Sequence, residues 1–301
     1  MLWAITSYFN PIGYASRRRN YRVFRQNLRV PLAVVELSCG NDFELNRDDA
    51  EIVVQIAGGD ILWQKERLLN VALRHLPAEC DSVAWIDCDV ILESPDWAER
   101  AERALEKFRM VQLFSERRNL VRDAKAGSGI EPEYEAKAAV ASMIVAGTAE
   151  DNDLRTGLRS TAGLAWAVKR DLAEAHGFYD ACILGTGDRA MLCAAMGNLN
   201  PAVNVLSMQP RQIDHYRDWA TRFHRDVQGS VGFIEGRALH LWHGSLRDRK
   251  YTARYVGLAK FEFDPFTDIS LAPSGCWQWA DGKREMHEYV KRYFEQRRED
   301  G

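Results

Sequence analysis

Short apolar segments alternate with helix-like segments through the first third of the chain, and this alternation constrains the fold most. Four apolar runs have the length and β-branched content of buried strands, namely 2–5, 31–37, 51–56 and 81–92. Segments with helical spacing of apolar residues separate them, at 17–28 and 61–76. Strands that alternate with helices are typical of βαβ units, so we expect an α/β fold with a mostly parallel central sheet flanked by helices.

Composition excludes several classes of protein. Hydrophobic residues make up 46% of the 301 residues and charged residues 28%, which excludes a disordered chain. The formal net charge of −3 excludes an overall basic coat for nucleic acid. The six cysteines form no CxxC pair, so we expect reduced thiols and a cytoplasmic location. The first residues lack the basic start of a signal peptide, and the longest apolar stretch, 138–149, is too short to span a bilayer.

The second half of the sequence is less regular. Strands are expected at 110–114, 163–168 and 238–242, and helices at 95–108, 171–176, 188–196, 211–227 and 285–298. Two polar segments, 116–135 and 147–160, are expected to be loops. Ligands of such sheets bind at the carboxyl ends of the strands, so the residues that follow each strand are the first candidates for a site.

The sharpest candidate lies in the fourth apolar run. Asp87 and Asp89 interrupt a strand-like segment, and alternation along an extended chain points both side chains the same way. Two like charges on an apolar strand are costly unless a cation neutralises them, and a divalent cation with oxygen ligands would do so. The alternative is a strand end at which both carboxylates face water or cap the next helix.

A late histidine is the third candidate ligand. His243 follows an apolar strand-like segment and precedes Gly244, which indicates a strand that enters a tight loop. Imidazole suits metals of the manganese class, so Asp87, Asp89 and His243 make a plausible mixed ligand set. His240 lies on the opposite face of an extended strand and is not expected to bind the same metal. Core packing is the alternative for both histidines.

These motifs resemble, in their order along the chain, those of GT-A glycosyltransferases, which contain a DxD motif and use nucleotide-sugar donors. The resemblance joins the 3–11 strand and loop, the 63–70 helix, the Asp87–Asp89 segment, the 177–188 loop and the 241–244 histidine motif. It implies a GT-A-like, Rossmann-type catalytic domain at 1–255. Its nucleotide-sugar-binding half would be 1–113 and its irregular acceptor-side half 114–255, with a C-terminal extension at 256–301 whose terminal helix packs on the body.

The resemblance also implies a metal-dependent transferase with Mn²⁺ or Mg²⁺ and a UDP-sugar as donor. The residues expected to bind the donor nucleotide are Thr6, Ser7, Asn10, Glu36, Gln64, Lys65 and Asp87. Arg249 and Tyr251 are expected to contact phosphate, and Trp166, Trp242 and Gly187 to contact the sugar or acceptor. Turn chemistry explains Ser7 and Asn10 nearly as well.

Asp188 is the candidate general base. It follows the flexible Gly185–Gly187 turn at the start of a predicted helix. A carboxylate there could deprotonate an acceptor hydroxyl during in-line attack, which would invert the anomeric centre. The alternative is plain N-capping of the helix. In a retaining enzyme no such base is needed, and Asp188 would then bind the acceptor.

Other functions remain open at this point. A nucleotidyltransferase would be expected to carry a glycine-rich phosphate loop after its first strand, where this chain has Ser7–Pro11. A binding module without catalysis is a further possibility. A glycan or glycoconjugate is the default acceptor. A nucleic-acid acceptor is conceivable because Arg17–Arg22 and Arg247–Arg254 are basic with interleaved aromatic residues.

Overall fold

Seven strands form the main sheet of the molecule. The computed structural model describes residues 1–122, 136–280 and 282–301. In chain order the strands of this sheet are β1 (Leu2–Phe9), β2 (Leu32–Ser38), β3 (Ile52–Ala57), β4 (Ser82–Ile86), β6 (Met110–Gln112), β10 (Ala165–Lys169) and β11 (Val231–Phe233). They lie in the order β11-β6-β10-β4-β1-β2-β3, and only β10 runs antiparallel to its neighbours. The expected mostly parallel sheet is confirmed.

A second sheet of five strands adjoins the first. Its strands are β5 (Val90–Leu92), β7 (Glu116–Asn119), β8 (Lys137–Ala139), β9 (Ser160–Thr161) and β12 (Arg237–His240), in the order β5-β12-β7-β8-β9. A small hairpin joins β13 (Ile269–Leu271) to β14 (Trp277–Trp279). The chain passes from the first sheet into the second between β4 and β5, so the residues of that connection lie where the two sheets meet.

Helices cover both faces of the main sheet. They are α1 (Ala15–Asn27), α2 (Lys65–Leu73), α3 (Trp97–Ala104), α4 (Val140–Val145), α5 (Asp151–Thr156), α6 (Arg170–His176), α7 (Gly187–Ala195), α8 (Asn200–Val205), α9 (Pro210–Val227), α10 (Ala253–Ala259) and α11 (Arg284–Gln296). Apolar residues of α1 and α3 belong to one core cluster, and those of α2, α7, α9 and α11 belong to the other. The described helices are all too short or too polar to span a lipid bilayer.

Alternation along the strands produces these two cores. In β1, Trp3 and Ile5 face one core while Leu2 and Ala4 face the other, as the two-residue period of a strand requires. The same alternation holds in β4 and β10. Strands buried on both faces read as continuous apolar runs, and this is why the sequence identified them.

The structure corrects the expected secondary structure in three places. The predicted strand at 81–92 is broken: β4 ends at Ile86 and β5 begins at Val90, with a turn between them. The segment 147–160, expected to be a loop, contains helix α5. The expected loop at 116–135 begins with strand β7, and its residues 123–135 lie outside the described residues.

Candidate functional site

A cavity of about 860 Å³ opens at the carboxyl ends of β1 and β4. Helices α2 and α7 form one wall, and strands β7, β8 and β12 of the second sheet contribute to the opposite side. Crevices at this edge of a parallel sheet are the usual ligand sites of α/β folds. The predicted site residues on its wall are Ser7, Gln64, Lys65, Asp87, Asp89, Asp188, His243, Arg249 and Tyr251.

The break between β4 and β5 separates the two aspartates that the sequence placed side by side. Asp87 follows β4, and its backbone N–H donates to the carbonyl of Leu164 at 2.8 Å. The carbonyl of Asp87 accepts from the N–H of Val90, which closes a turn, and Asp89 lies inside that turn. The expectation that both side chains share one face of a strand is therefore wrong, because neither residue belongs to a strand.

Asp89 lies beside two histidines at one corner of the cavity. Its Oδ2 is 3.2 Å from Nε2 of His243, and its Oδ1 is 3.7 Å from Nε2 of His240. The two Nε2 atoms are 3.1 Å apart. One potential ligand atom from each of the three residues falls within 4.8 Å of the others. Asp89 Oδ1 is buried and has no hydrogen-bond partner.

The expectation that His240 and His243 face opposite ways is wrong. Strand β12 ends at His240, so the extended geometry on which the expectation depended does not continue to His243. Asn119 Oδ1 lies 3.0 Å from Nδ1 of His240, and this contact turns Nε2 toward the cluster. Asn119 thus orients the imidazole of His240 through its other ring nitrogen.

The electrostatics of this corner suit a cation that is bound through neutral imidazoles. Burial, the other histidine and the guanidinium of Arg249 hold the pKa of His240 well below its ordinary value. Burial and Arg249 also lower the pKa of His243. Both rings are therefore neutral at pH 7, the form that ligates metals. Two imidazole nitrogens and a carboxylate with an orphaned oxygen fit a divalent transition-metal ion.

The C-terminal segment supports the histidine corner from outside. Glu299 is buried and accepts hydrogen bonds from Arg17 at 2.6 and 2.8 Å and from Arg297. Although burial opposes its charge, Arg17 and Arg297 hold the pKa of Glu299 well below its ordinary value. Its Oε1 is 3.8 Å from Nδ1 of His243. At Gly244 (φ +87°), an added Cβ would lie 2.9 Å from the carbonyl oxygen of Arg297, so glycine permits this segment to pack closely.

A different cluster forms the wall at helices α2 and α7. The ammonium group of Lys65 lies 2.5 Å from Oδ1 of Asp87 and donates to Oδ2 of Asp188 at 2.7 Å. Trp85 Nε1 donates to the other oxygen of Asp188 at 3.0 Å. The pKa of Lys65 is raised well above its ordinary value because the two carboxylates outweigh the effect of burial. Lys65 therefore stays charged and fixes both aspartates.

Two of the carboxyl groups near Lys65, those of Asp87 and Glu66, have raised pKa values. Burial raises the pKa of Asp87 to about 7, with Lys65 acting against the shift and Asp188 reinforcing it. Burial also raises the pKa of Glu66 to about 8, again against Lys65. Glu66 faces the start of α7, where an added Cβ at Gly187 would lie 2.3 Å from its carboxyl carbon. Gly187 is thus needed for close packing of the two helices and does not line the cavity.

Arg249 and Tyr251 lie on the cavity wall as a pair. Arg249 donates to the Tyr251 hydroxyl at 3.1 Å, and the Nε of Arg249 is buried without a partner. Burial alone would raise the pKa of Tyr251, but the positive charges of Arg249, Arg254 and Arg297 outweigh burial and lower this pKa to about 8. A phenol and guanidinium groups arranged in this way present donors to an anion.

Three residues near the end of β1 were expected to bind the donor base, and one of them lines the cavity. Ser7 is on the wall. Thr6 is buried and donates from its hydroxyl to the carbonyl of Ile86 at 2.6 Å, which joins β1 to the end of β4. Asn10 accepts from the N–H of Tyr14 at 2.9 Å and shapes the entry to α1. Thr6 and Asn10 are not among the residues of the wall.

Glu36 and Gln64 have partners within the protein. Glu36 is buried, accepts from the N–H of Leu45 and from Gln55, and holds the loop after β2, away from the cavity wall. Gln64 lines the cavity, yet both ends of its amide bond the backbone of Trp277 at 3.1 and 2.7 Å. Its contacts tie the start of α2 to the β13–β14 hairpin.

The two tryptophans expected near the sugar are not on the cavity wall. Trp166 is fully buried, stacks on Trp85 and donates to the carbonyl of Ala162 at 2.8 Å. Trp242 is half-buried, and the guanidinium of Arg122 lies 5.0 Å from its ring centroid. The tryptophan that does line the cavity is Trp63, the first residue of the predicted 63–70 segment.

Several site residues escaped the sequence analysis. His240 was set aside on an extended-strand argument that fails at the end of β12. Arg117, Lys137 and Arg189 line the cavity but belong to no phosphate-binding motif in the sequence. Pairing of β7 with β8 brings Arg117 opposite Lys137, and no local pattern indicates that pairing.

The sequence matches no protein-family description and no curated protein sequence. Among solved structures the chain is similar to the glucosyl-3-phosphoglycerate synthase of Mycobacterium tuberculosis in complex with Mn²⁺ and UDP, at 12% identity and a TM-score of 0.41, with 90% of this chain and 83% of that chain covered. It is also similar to the mannosyltransferase PcManGT of Pyrobaculum calidifontis in complex with GDP-Man and Mn²⁺, at 14% identity, 97% and 69% coverage and a TM-score of 0.41. Residues 1–349 of S. aureus TarS match at 12% identity, 98% and 71% coverage and a TM-score of 0.37. Similarity at this level assigns no residue role or substrate to the chain.

Proposed function

We propose that the chain is a metal-dependent glycosyltransferase that moves a hexosyl or pentosyl group from a nucleotide-sugar, with UDP as the nucleotide, to an acceptor hydroxyl. One observation carries the proposal. A ligand set of one carboxylate and two imidazoles faces the same cavity as a second carboxylate, Asp188, which an ammonium group and an indole hold in place. The cavity volume of about 860 Å³ is that of a small-molecule site.

The proposed metal ligands are Asp89, His240 and His243. This set replaces Asp87 of the sequence hypothesis with His240, because Asp87 pairs with Lys65 instead. When bound, a divalent cation there neutralises the charge that develops on a departing diphosphate. Imidazole nitrogen favours a transition metal, so we propose Mn²⁺ in preference to Mg²⁺.

The donor is proposed to lie with its diphosphate toward Arg249 and Tyr251 and its nucleoside toward Ser7, at the end of β1. Arg249 supplies donors to phosphate oxygens through charge-assisted hydrogen bonds. Its unpartnered buried Nε supports this assignment, since such an atom is costly unless a ligand satisfies it.

Asp188 is proposed to act as general base. It takes the proton of the acceptor hydroxyl while the hydroxyl oxygen forms a bond to the anomeric carbon. The bond from that carbon to the phosphate oxygen breaks in the same step, and its electron pair leaves with the nucleoside diphosphate. Attack opposite the leaving group inverts the anomeric centre. Lys65 and Trp85 supply the rigid orientation that this role needs.

A glycan or glycoconjugate remains the proposed class of acceptor, in preference to nucleic acid. Two basic segments suggested nucleic acid, yet Arg17 of the first is bonded to Glu299, and Arg249 of the second is buried in the cavity wall. The six cysteines are all free, which favours a reducing compartment such as the cytoplasm.

The test is a panel of nucleotide-sugars in thermal unfolding, with and without Mn²⁺. Ligands that bind the folded state raise its unfolding temperature, so a UDP-sugar should give a shift that requires Mn²⁺. The donor so identified is then incubated with the enzyme alone, and proton NMR follows the anomer released by slow hydrolysis. Inverted sugar as first product supports the mechanism. No Mn²⁺-dependent shift with any nucleotide-sugar would refute the function, and retained configuration would refute the role of Asp188.

A further inference from the structure

Three cations that line the cavity have no carboxylate partner among the described residues. They are Arg117 on β7, Lys137 on β8 and Arg189 on α7, which reach the cavity from its two sides. Among the other cations of the cavity, Lys65 contacts two aspartates and Arg297 bonds Glu299, whereas Arg249 and Arg254 donate to hydroxyl groups. Buried or half-buried cations are costly without an anion, so this region of the cavity is electrostatically incomplete.

The fold brings the three cations together from separate elements. Arg117 and Lys137 are directly opposite each other in the antiparallel β7–β8 pair, an arrangement that is unfavourable for like charges. Lys137 Nζ donates to the carbonyl of Gly157 at 2.8 Å. An added Cβ at Gly157 would lie 2.7 Å from a terminal nitrogen of Arg189, so Lys137 and Arg189 converge at this glycine.

The available hydrogen-bond partners do not compensate this charge. Arg117 Nε is buried and has no partner. Arg189 donates to the backbone carbonyls of Asp153 and Leu154, which are neutral. Burial lowers the pKa of all three side chains, and for Lys137 the neighbouring Arg117 and Arg189 lower it further. A bound anion would therefore stabilise the charged form of each of the three side chains.

The donor does not account for these charges. The diphosphate of a nucleotide-sugar carries two negative charges, which a divalent cation already balances, and Arg249, which lowers the pKa of His240, adds positive charge at that corner. Arg117 also lowers the pKa of His240, whereas Lys137 and Arg189 converge at Gly157. Arg189 directly follows Asp188 in α7, so an anion held at this point belongs to the molecule whose hydroxyl faces Asp188.

We propose that Arg117, Lys137 and Arg189 form a subsite for an anionic group, phosphate or carboxylate, on the acceptor. This inference rests on the proposed function and narrows its acceptor to a molecule that carries a negative charge near the reacting hydroxyl. Anchoring that charge orients the hydroxyl toward Asp188, which is how binding energy away from the reacting atoms serves the reaction.

The first experiment measures anion binding while the donor site is filled. The full chain is held at saturating UDP and Mn²⁺, and methyl phosphate, acetate or chloride is added at constant ionic strength. We expect methyl phosphate or acetate, but not chloride, to raise the unfolding temperature by about 3 °C. The anion with the larger shift identifies the acceptor group. Equal shifts with all three salts would overturn the proposal, as would no shift with any.

The second experiment locates the anion. Arg117→Gln and Lys137→Gln should each weaken the preferred anion about tenfold and leave UDP affinity unchanged, whereas the exposed controls Arg18→Gln and Lys291→Gln should change neither. Removal of a repelled charge should leave the unliganded protein as stable as before or more so. A wild-type anion affinity in both cavity variants would contradict the subsite, as would a parallel loss of UDP affinity or a lower unliganded unfolding temperature.

The proposed function and the subsite can fail separately. Absence of Mn²⁺-dependent UDP binding by the unaltered chain refutes the function, while the anion titration without UDP still measures the subsite. Normal UDP binding without anion binding refutes the subsite alone.

Discussion

Asp87 and Asp89 are separated by one residue, yet they occupy two different electrostatic environments. Asp87 has its cation within the protein, with Lys65 at 2.5 Å. Asp89 faces two neutral imidazoles, and one of its oxygens has no partner. Asp87 is thus paired within the protein, whereas Asp89 belongs to the set that we propose to bind a cation.

The turn between β4 and β5 creates this difference. It directs one aspartate toward the helices on the main sheet and the other toward the second sheet, where the end of β12 and the segment after it supply the two histidines. A pair of carboxylates that looks equivalent in sequence is thereby divided between the α2–α7 wall and the proposed metal site. Substitutions that change one of the two environments and leave the other intact test this division.

The largest effect is expected from Asp89→Ala. Loss of the only carboxylate in the ligand set should remove the increase in UDP affinity that Mn²⁺ causes and lower transfer on the order of a thousandfold. Calorimetric titration of UDP with and without Mn²⁺ measures the change. The exposed Asp48→Ala is the matched control. An Asp89→Ala enzyme that still gains UDP affinity from Mn²⁺ would place the metal elsewhere.

The next effect is expected from Asp188→Asn. The amide preserves the shape and can still accept from Trp85, but it cannot take a proton, so transfer should fall about a hundredfold or more. The affinity for UDP with Mn²⁺ should stay within about twofold of the unaltered protein's value. Initial-rate kinetics and the same titration separate the two quantities. Equal loss of donor affinity and rate would make Asp188 a structural residue of the Lys65 corner.

A smaller effect is expected from His240→Gln, which tests whether His240 is a metal ligand. Loss of one imidazole from the set should weaken Mn²⁺ about tenfold to a hundredfold. Competition with a fluorescent metal indicator reads the affinity directly. The exposed His75→Gln serves as control. Unchanged Mn²⁺ affinity would restore the sequence hypothesis of His243 as the single histidine ligand.

The smallest effect concerns Glu66 and appears as a pH dependence. Its folded pKa of about 8 exceeds the ordinary value of 4.5, with Lys65, Asp87 and Asp188 as the charged neighbours. The folded state therefore binds the extra proton in this window, and stability should fall as pH rises from about 4.5 to 8, by at most about 1.4 kcal/mol per pH unit. In urea unfolding experiments across this range, the free energy of unfolding should depend less on pH for Glu66→Gln than for the unaltered protein. The same slope in the variant would exclude Glu66 as its source.

The sequence predicted most of the main sheet because strands buried on both faces leave continuous apolar runs. It also identified Asp89, His243 and Asp188 as candidate site residues, although it placed Asp89 within a strand. It failed at the break after Ile86, since an apolar run on both sides of Asp87 reads as one strand. A strand boundary that depends on pairing with β12, more than 140 residues later in the chain, has no local signal.

The cationic region of the cavity was beyond prediction for a related reason. Arg117 and Lys137 become neighbours through strand pairing, and Arg189 joins them from a helix. Basic residues outside a motif are usually solvated, and only contacts within the fold distinguish these three. Likewise, the support of His243 by Glu299 depends on packing of the C-terminal segment against Gly244.

In the proposed site a metal is held by imidazole nitrogen on one side and by the donor diphosphate on the other. Electron spin echo spectroscopy of Mn²⁺ bound to the full chain with UDP tests this arrangement, because both kinds of ligand nuclei modulate the signal. We expect coupling to ¹⁴N from histidine together with coupling to ³¹P from UDP, and loss of most of the ¹⁴N coupling when His240 and His243 are both replaced by Gln. A spectrum with ³¹P coupling and no ¹⁴N coupling in the unaltered chain would contradict it.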